Sequence, residues 1–387
     1  MPMPRINALL LLAVATPAMA QASQWRLVEE VRVGTADGAE AYAFSPGPLV
    51  AARADGTVFV ADGGALEVRV FDARGRHLRS FGRRGAGPGE FLAVGEMGWR
   101  ADTLWVTDPM QLRTTLFTLD GRVVRTIGAV TRATGEYMPA GAWALLANGA
   151  VLARPGGAQR TEGGIPLLHR LPLLRIDPAT ERTDTLAWRE LRNRMLRVPD
   201  GRSLLTLVQP WDDTPLFAVA ADGSSVVRVD RALPEGGEPV FRVTRFSPEG
   251  RRLFSRVFRY PPVPIEAGWR REWGAKMARD IAEVRPVGNV RALADVLARE
   301  VFVPAVMPPV TAVVAGTDGT VWLRREERGG ATVEWLVLDA SGRLSASVRT
   351  PAGLTVQQAS RTHVWGTITD DLDVPYVLRF RVEPMRR

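Results

Sequence analysis

The stretch ADGTVFVADGGALEVRVFDARGRHLRSF, residues 54–81, decides how the chain is read. Asp55-Gly56 sits before an alternating apolar run that ends at Asp62, and the segment 68–81 is a strand, a polar turn and a second strand. Asp-Gly is a strong hairpin signal because both central residues of such a turn adopt positive φ. With the strand that enters the first turn, the stretch supplies four antiparallel strands.

Both halves of the pattern recur in order. Turn-then-strand copies stand at 100–108, 147–155, 221–229 and 317–325, and each is followed by a strand-turn-strand copy, at 115–127, 173–186, 241–255 and 334–347. Asp55 and Asp102 are 47 residues apart, and Asp102 and Asn148 are 46 apart. A four-stranded unit at that period is the sequence form of a propeller blade. The two ends of the chain offer a sixth unit: three strands in 354–382 and the unpaired strand 25–33, which would close the last blade and cover its open edge. The expectation is therefore an all-β, six-bladed β-propeller in one domain, residues 21–387. The leftover hairpin 194–210 keeps a seven-bladed count open.

A helical insertion is expected at about 265–300, between the fourth and fifth units. Trp269, Trp273, Met277, Ile281 and Val284 share one helical face before Pro286, and Val290, Leu293 and Leu297 continue in a second helix. Its other face mixes Arg270, Arg271, Lys276 and Arg279 with Glu272, Asp280 and Glu283, unlike a cationic membrane helix. The reading is packing on the propeller, with a lid over the channel as the alternative.

The first twenty residues carry Arg5, an apolar run from Ala8 to Ala15 and small residues at Ala18 and Ala20, the layout of a secretory signal cleaved near Ala20. The mature chain is expected to be exported, periplasmic or secreted, with no transmembrane segment. It has no cysteine, which removes disulfides and thiolate metal sites. The net charge is +8, and Lys276 is the one lysine among 50 basic residues. The arginines are scattered among Asp and Glu without a basic stripe or stacking aromatics, so nucleic acid is not an expected partner.

The glycine-rich FGRRGAGPGEF, 81–91, leaves one strand and enters another β-like run, not a helix. It has no Lys-Ser/Thr pair, Pro88 removes an N–H donor, and Glu90 would repel an anion, so a phosphate cradle is rejected in favour of a joint between sheets plugged by Phe91. The segment 58–91 resembles a repeat of the NHL family of six-bladed propellers, close to NHL-like and TolB-like secreted bacterial-type propellers. In that pattern an Asp ends the second strand and a Phe-Asp turn leads to a Pro-Gly-Phe-type junction. The match is good here, partial over 104–128, and fades elsewhere. The resemblance also implies an Arg five residues after the Asp; Arg113 follows Asp108 so, whereas Glu67 follows Asp62.

No chemical motif stands out. His77, His169 and His363 are widely separated, and there is no G-x-S-x-G, H-E-x-x-H, P-loop or EF-hand loop. The ends of equivalent strands carry Asp62, Asp108, Arg154 and Arg324, with Asp370 and Asp371 in the last unit, and these would converge on one mouth of the channel. The structural alternative is ion pairs that lock neighbouring blades. Trp105, Trp322 and Trp365 occupy comparable second-strand positions, where they pack between sheets or stack on a ligand. No resident metal or cofactor is expected; calcium is the ion that oxygen ligands from several blades would suit. The leading expectation is a non-enzymatic binding or scaffold module for a small molecule, glycan or protein. The alternative is a divalent-metal-dependent hydrolase or lactonase at the channel mouth.

Overall fold

A computed structural model describes residues 22–131, 139–155, 170–177, 179–180, 182–190, 196–200, 203–207, 210–211, 214–235, 238–304, 306–325 and 330–385. The expected signal segment lies outside the described residues, as does His169.

Four sheets follow the turn rhythm of the sequence. The first holds β2 (Leu49–Ala52), β3 (Val58–Asp62), β4 (Glu67–Phe71) and β5 (His77–Phe81), after the N-terminal strand β1 (Ser23–Val33). The second holds β6 (Met97–Arg100), β7 (Thr103–Asp108), β8 (Arg113–Phe117) and β9 (Val123–Ile127). The third holds β10 (Ala142–Leu145), β11 (Val151–Ala153), β12 (Arg170–Ile176) and β13 (Thr183–Glu190). After the hairpin β14 (Leu196–Asp200) and β15 (Ser203–Leu207), the fourth holds β16 (Leu216–Val219), β17 (Val226–Glu235), β18 (Glu238–Phe246) and β19 (Arg252–Arg259). Each is antiparallel in sequence order, since a tight turn can only return the chain beside itself.

The remaining strands overturn the six-bladed, NHL-type expectation. They are β20 (Val310–Ala315), β21 (Val321–Arg325), β22 (Thr332–Leu338), β23 (Leu344–Pro351), β24 (Thr355–Ala359), β25 (His363–Thr369) and β26 (Pro375–Pro384). With β1 they form one eight-stranded sheet, in the order β20-β21-β22-β23-β1-β26-β25-β24. The N-terminal strand does not finish a separate last blade. One edge of β1 pairs antiparallel with β26, from Trp25↔Pro384 to Val33↔Val377, and its start pairs in parallel with β23, Ser23↔Ala346 to Trp25↔Val348. The sheet folds over so that its end strands β20 and β24 lie together, a near-closed barrel around Trp322, Trp335, Val348, Leu354 and Phe380. The architecture is thus four propeller-like sheets plus a near-closed eight-stranded barrel.

The seven-bladed count also falls, because β14 and β15 form a two-stranded sheet of their own. That hairpin packs Leu196 and Val198 against Ala278 and Ile281 of helix α1 (Trp269–Val284) and Leu293 and Leu297 of helix α2 (Val290–Glu300). Gly274 permits the close helix crossing, since a Cβ there would meet the Ala294 carbonyl at 2.7 Å. The shared apolar face expected of α1 holds at Ile281 but not at Val284, which is 82% exposed. Trp269 and Trp273 instead extend a ring stack begun by Trp211.

The glycine stretch is a joint between the first two sheets. Phe91 is fully buried against Phe117, its N–H donates to the Arg83 carbonyl, and Gly82 and Gly89 have φ of +87° and +75°. Arg113 donates to the carbonyls of Ala86, Gly87 and Glu90, so it ties the junction and not Asp108. In the first sheet Arg69, not the residue at the family position, stands 3.5 Å from Asp62.

Candidate functional site

The first strands β2, β6, β10 and β16 of the four sheets, with β20 and β24 of the barrel, surround a central channel that opens at two mouths. One mouth is formed by the hairpin turns at Asp55, Asp222, Asp318 and Thr362 and holds a vestibule of about 900 Å³. The charges there are largely matched. Arg53 pairs with Asp102 at 2.8 Å, Arg379 lies 3.1 Å from Glu30, and Asp318 accepts the N–H groups of Thr320 and Arg361. The acids of these turns mostly close the turns themselves, as Asp-Gly chemistry dictates.

Towards the other mouth lies a smaller cavity of about 200 Å³, walled by Trp105, Trp143, Phe217, Val313 and Val356 and lined also by Glu96 and Gln357. Here a cation and an acid meet on one ring. The Arg154 guanidinium stacks on the Trp143 ring, 3.1 Å from its centroid, and the Trp143 indole N–H points to the Glu96 carboxylate at 3.4 Å. Arg189 reaches across from β13 and donates to the Pro155 carbonyl at 3.0 Å. Among the described residues, the buried Nε atoms of Arg154 and Arg189 have no acceptor. Burial, followed by repulsion from Arg189, pushes the Arg154 guanidinium down to about 9 against an opposing pull from Glu96. Burial likewise lowers Arg189.

The residues expected to form a site are only partly brought together. Asp62 is buried, and its oxygens accept N–H groups from Ser45, Gly64 and Ala65. Burial alone would raise its carboxyl, but these donors outweigh burial and hold it below the usual carboxylate range. Asp108 is held the same way, by Leu92, Met110 and Gln111. Asp370 closes the β25–β26 turn through Leu372, Val374 and the Tyr376 hydroxyl, and Asp371 is exposed. Arg324 donates to the Thr311 hydroxyl. Arg154 alone among the six stands with the Trp143–Glu96 pair.

The three tryptophans part company. Trp105 faces the channel cavity and Trp365 the vestibule, where Arg379 stacks on it. Trp322 is sealed in the barrel core, bonded to Thr320 and packed on Trp25. Sequence reasoning missed Glu96, Trp143 and Arg189. The inward alternation of Ala142, Trp143 and Ala144 before the third turn was a usable signal for Trp143. Glu96 and Arg189 carry none, being single charges 93 residues apart.

The rim carboxylates are already tied into hydrogen bonds. Calcium needs six or more oxygen ligands, and both oxygens of Asp62, Asp108 and Asp370 already accept hydrogen bonds. Among the described residues no group of three or more His, Asp or Glu is arranged to hold a metal.

No protein-family model and no curated protein matches the chain. Among solved structures it is similar to a member of the DUF4221 family from Bacteroides vulgatus, with 9% identity, a TM-score of 0.50, and coverage of 94% of this chain and 100% of the other. An exported protein from Bacteroides fragilis, described as putative, gives 10% identity, a TM-score of 0.46 and coverage of 94% and 96%. A virginiamycin B lyase from Staphylococcus aureus gives 11% identity, a TM-score of 0.40 and coverage of 92% and 99%. At such identity the likeness concerns fold alone. The class defined here is an all-β protein, partly propeller-like and partly barrel-like, and among the described residues no helix is long and apolar enough to cross a membrane.

Proposed function

We propose that the chain is an exported small-molecule hydrolase of the ester- or lactone-cleaving type, with its site at the channel mouth formed by Glu96, Trp143 and Arg154. The observation that carries this reading is the convergence of a carboxylate and a desolvated guanidinium on one indole ring above an apolar cavity. In this reading Glu96 takes a proton from water as the water oxygen bonds to the substrate carbonyl carbon, and the resulting oxyanion lies beside Arg154. Collapse breaks the bond to the alkoxy oxygen, which recovers the proton from Glu96. A fixed positive charge is most effective where negative charge develops during reaction. Export rests on the signal-like first twenty residues.

The positive charge in this mechanism comes from Arg154, stacked on the Trp143 ring whose indole N–H points to Glu96. The test is hydrolysis of a panel of chromogenic esters and lactones by the purified mature chain and by Glu96→Gln. The expected result is chelator-insensitive turnover that falls by a factor of about 10² or more in the variant. Unchanged turnover in Glu96→Gln would refute it, and ligand binding without turnover by either protein would return the mouth to a pure binding role.

A further inference from the structure

We infer that a second site lies outside the channel, between the fourth sheet and the barrel, and that it takes an uncharged aromatic molecule the size of two fused rings. A cavity of about 240 Å³ stands there, and it shares no described lining residue with the vestibule or the channel cavity. Phe241 of β18, Phe258 of β19 and Tyr260 wall it from the sheet, and Leu323, Leu336 and Leu344 wall it from the barrel. The connections to and from the two helices bound it further. Met307 lines it and donates its backbone N–H to the Val263 carbonyl at 2.8 Å, beside an antiparallel bridge between Pro264 and Val306. Packed interiors hold few voids larger than a water molecule, and a space walled mainly by apolar side chains offers water few partners. Pro261, Pro308 and Pro309 also line the cavity, and their fixed φ resists its collapse.

Size and surface name the ligand. An apolar cavity of about 150 Å³ accepts benzene, and about 240 Å³ leaves room for a second fused ring. Phe241 and Phe258 are stacked, with centroids 5.2 Å apart and planes 20° apart, and Tyr260 tilts against Phe241 at 6.1 Å. Phe258 and Tyr260 are only half-buried, so each keeps ring surface for a guest. Aromatic rings gain from offset or edge-to-face contact beyond the area they bury, and the Met307 thioether adds a polarizable contact. A saturated guest of the same shape gains neither. Both arginines on the lining are engaged, Arg325 with Glu334 at 2.8 Å and Arg259 with a partner of its own, so the aromatic wall sets the chemistry.

The test is an NMR titration of the mature chain, its methionine methyls labelled with carbon-13, with 2-naphthol as the probe. Met307 lines this cavity and Met97 lines the channel cavity, so the two methyls report on separate sites; Met307→Leu and Met97→Leu assign them. The Met307 methyl is expected to shift saturably, and the shift should vanish in Leu336→Trp, which fills the cavity. The saturated analogue decahydro-2-naphthol should bind about threefold or more weakly. No saturable shift at Met307, a response at Met97 alone, a Met307 shift that persists in folded Leu336→Trp, or equal binding of the saturated analogue would each overturn the inference. The wild-type titrations with the two probes decide the matter even if Leu336→Trp does not fold. None of these readouts involves turnover, so the hydrolase reading stands or falls separately.

Discussion

Replacing Arg154 by Met should make the protein more stable and less active. A guanidinium pushed down to about 9 is charged at neutral pH at an electrostatic cost of about 5 kcal/mol, at roughly 1.4 kcal/mol per pH unit. The contact with Trp143 returns up to about 2 kcal/mol as a cation–π interaction. Met keeps most of the apolar stem and its packing on the indole, so the expected net gain is on the order of 1–3 kcal/mol. Urea unfolding followed by tryptophan fluorescence reads it as a raised midpoint at unchanged slope. A variant less stable than wild type by more than about 1 kcal/mol would refute the reasoning, for the guanidinium would then be a satisfied structural brace.

Two further substitutions probe the frame. Phe91→Ala empties a fully buried site between the first and second sheets and should cost about 3–5 kcal/mol by chemical denaturation; a cost below about 1 kcal/mol would mean the joint does not depend on the plug. Asp62→Asn should cost about 1–3 kcal/mol at pH 7, when a buried carboxylate with several N–H donors loses its charge. Its carboxyl is held below the ordinary range, so the stability it lends is full above that range and is lost as pH falls through the depressed value. The gap between wild type and Asp62→Asn should therefore close on acidification, and a gap that widened would contradict the assignment.

What the sequence disclosed was local. The turns at Asp55, Asp102, Asn148 and Asp222 announce sheets whose strands pair with their chain neighbours, and the pattern at 81–91 shows a joint because Pro88 and Glu90 are incompatible with an anion cradle. The barrel was hidden for the opposite reason. The parallel pairing of Ser23 with Ala346 joins distant segments, and no turn residue records it. Asp62 and Asp108 stood out as strand-end acids, yet that position also suits a carboxylate that gathers the N–H groups of the next turn. Arg154 was visible, but its meaning depends on Arg189 and Glu96, which only the tertiary fold brings near.

The most direct measurement is a double-mutant cycle on kcat/KM for ester or lactone hydrolysis, using Glu96→Gln, Arg154→Met and the pair together. If both side chains act on one transition state, either single change should remove most of the rate and the double variant should be little worse than the poorer single one. Additive losses in the double variant, or full activity in either single variant, would contradict the account.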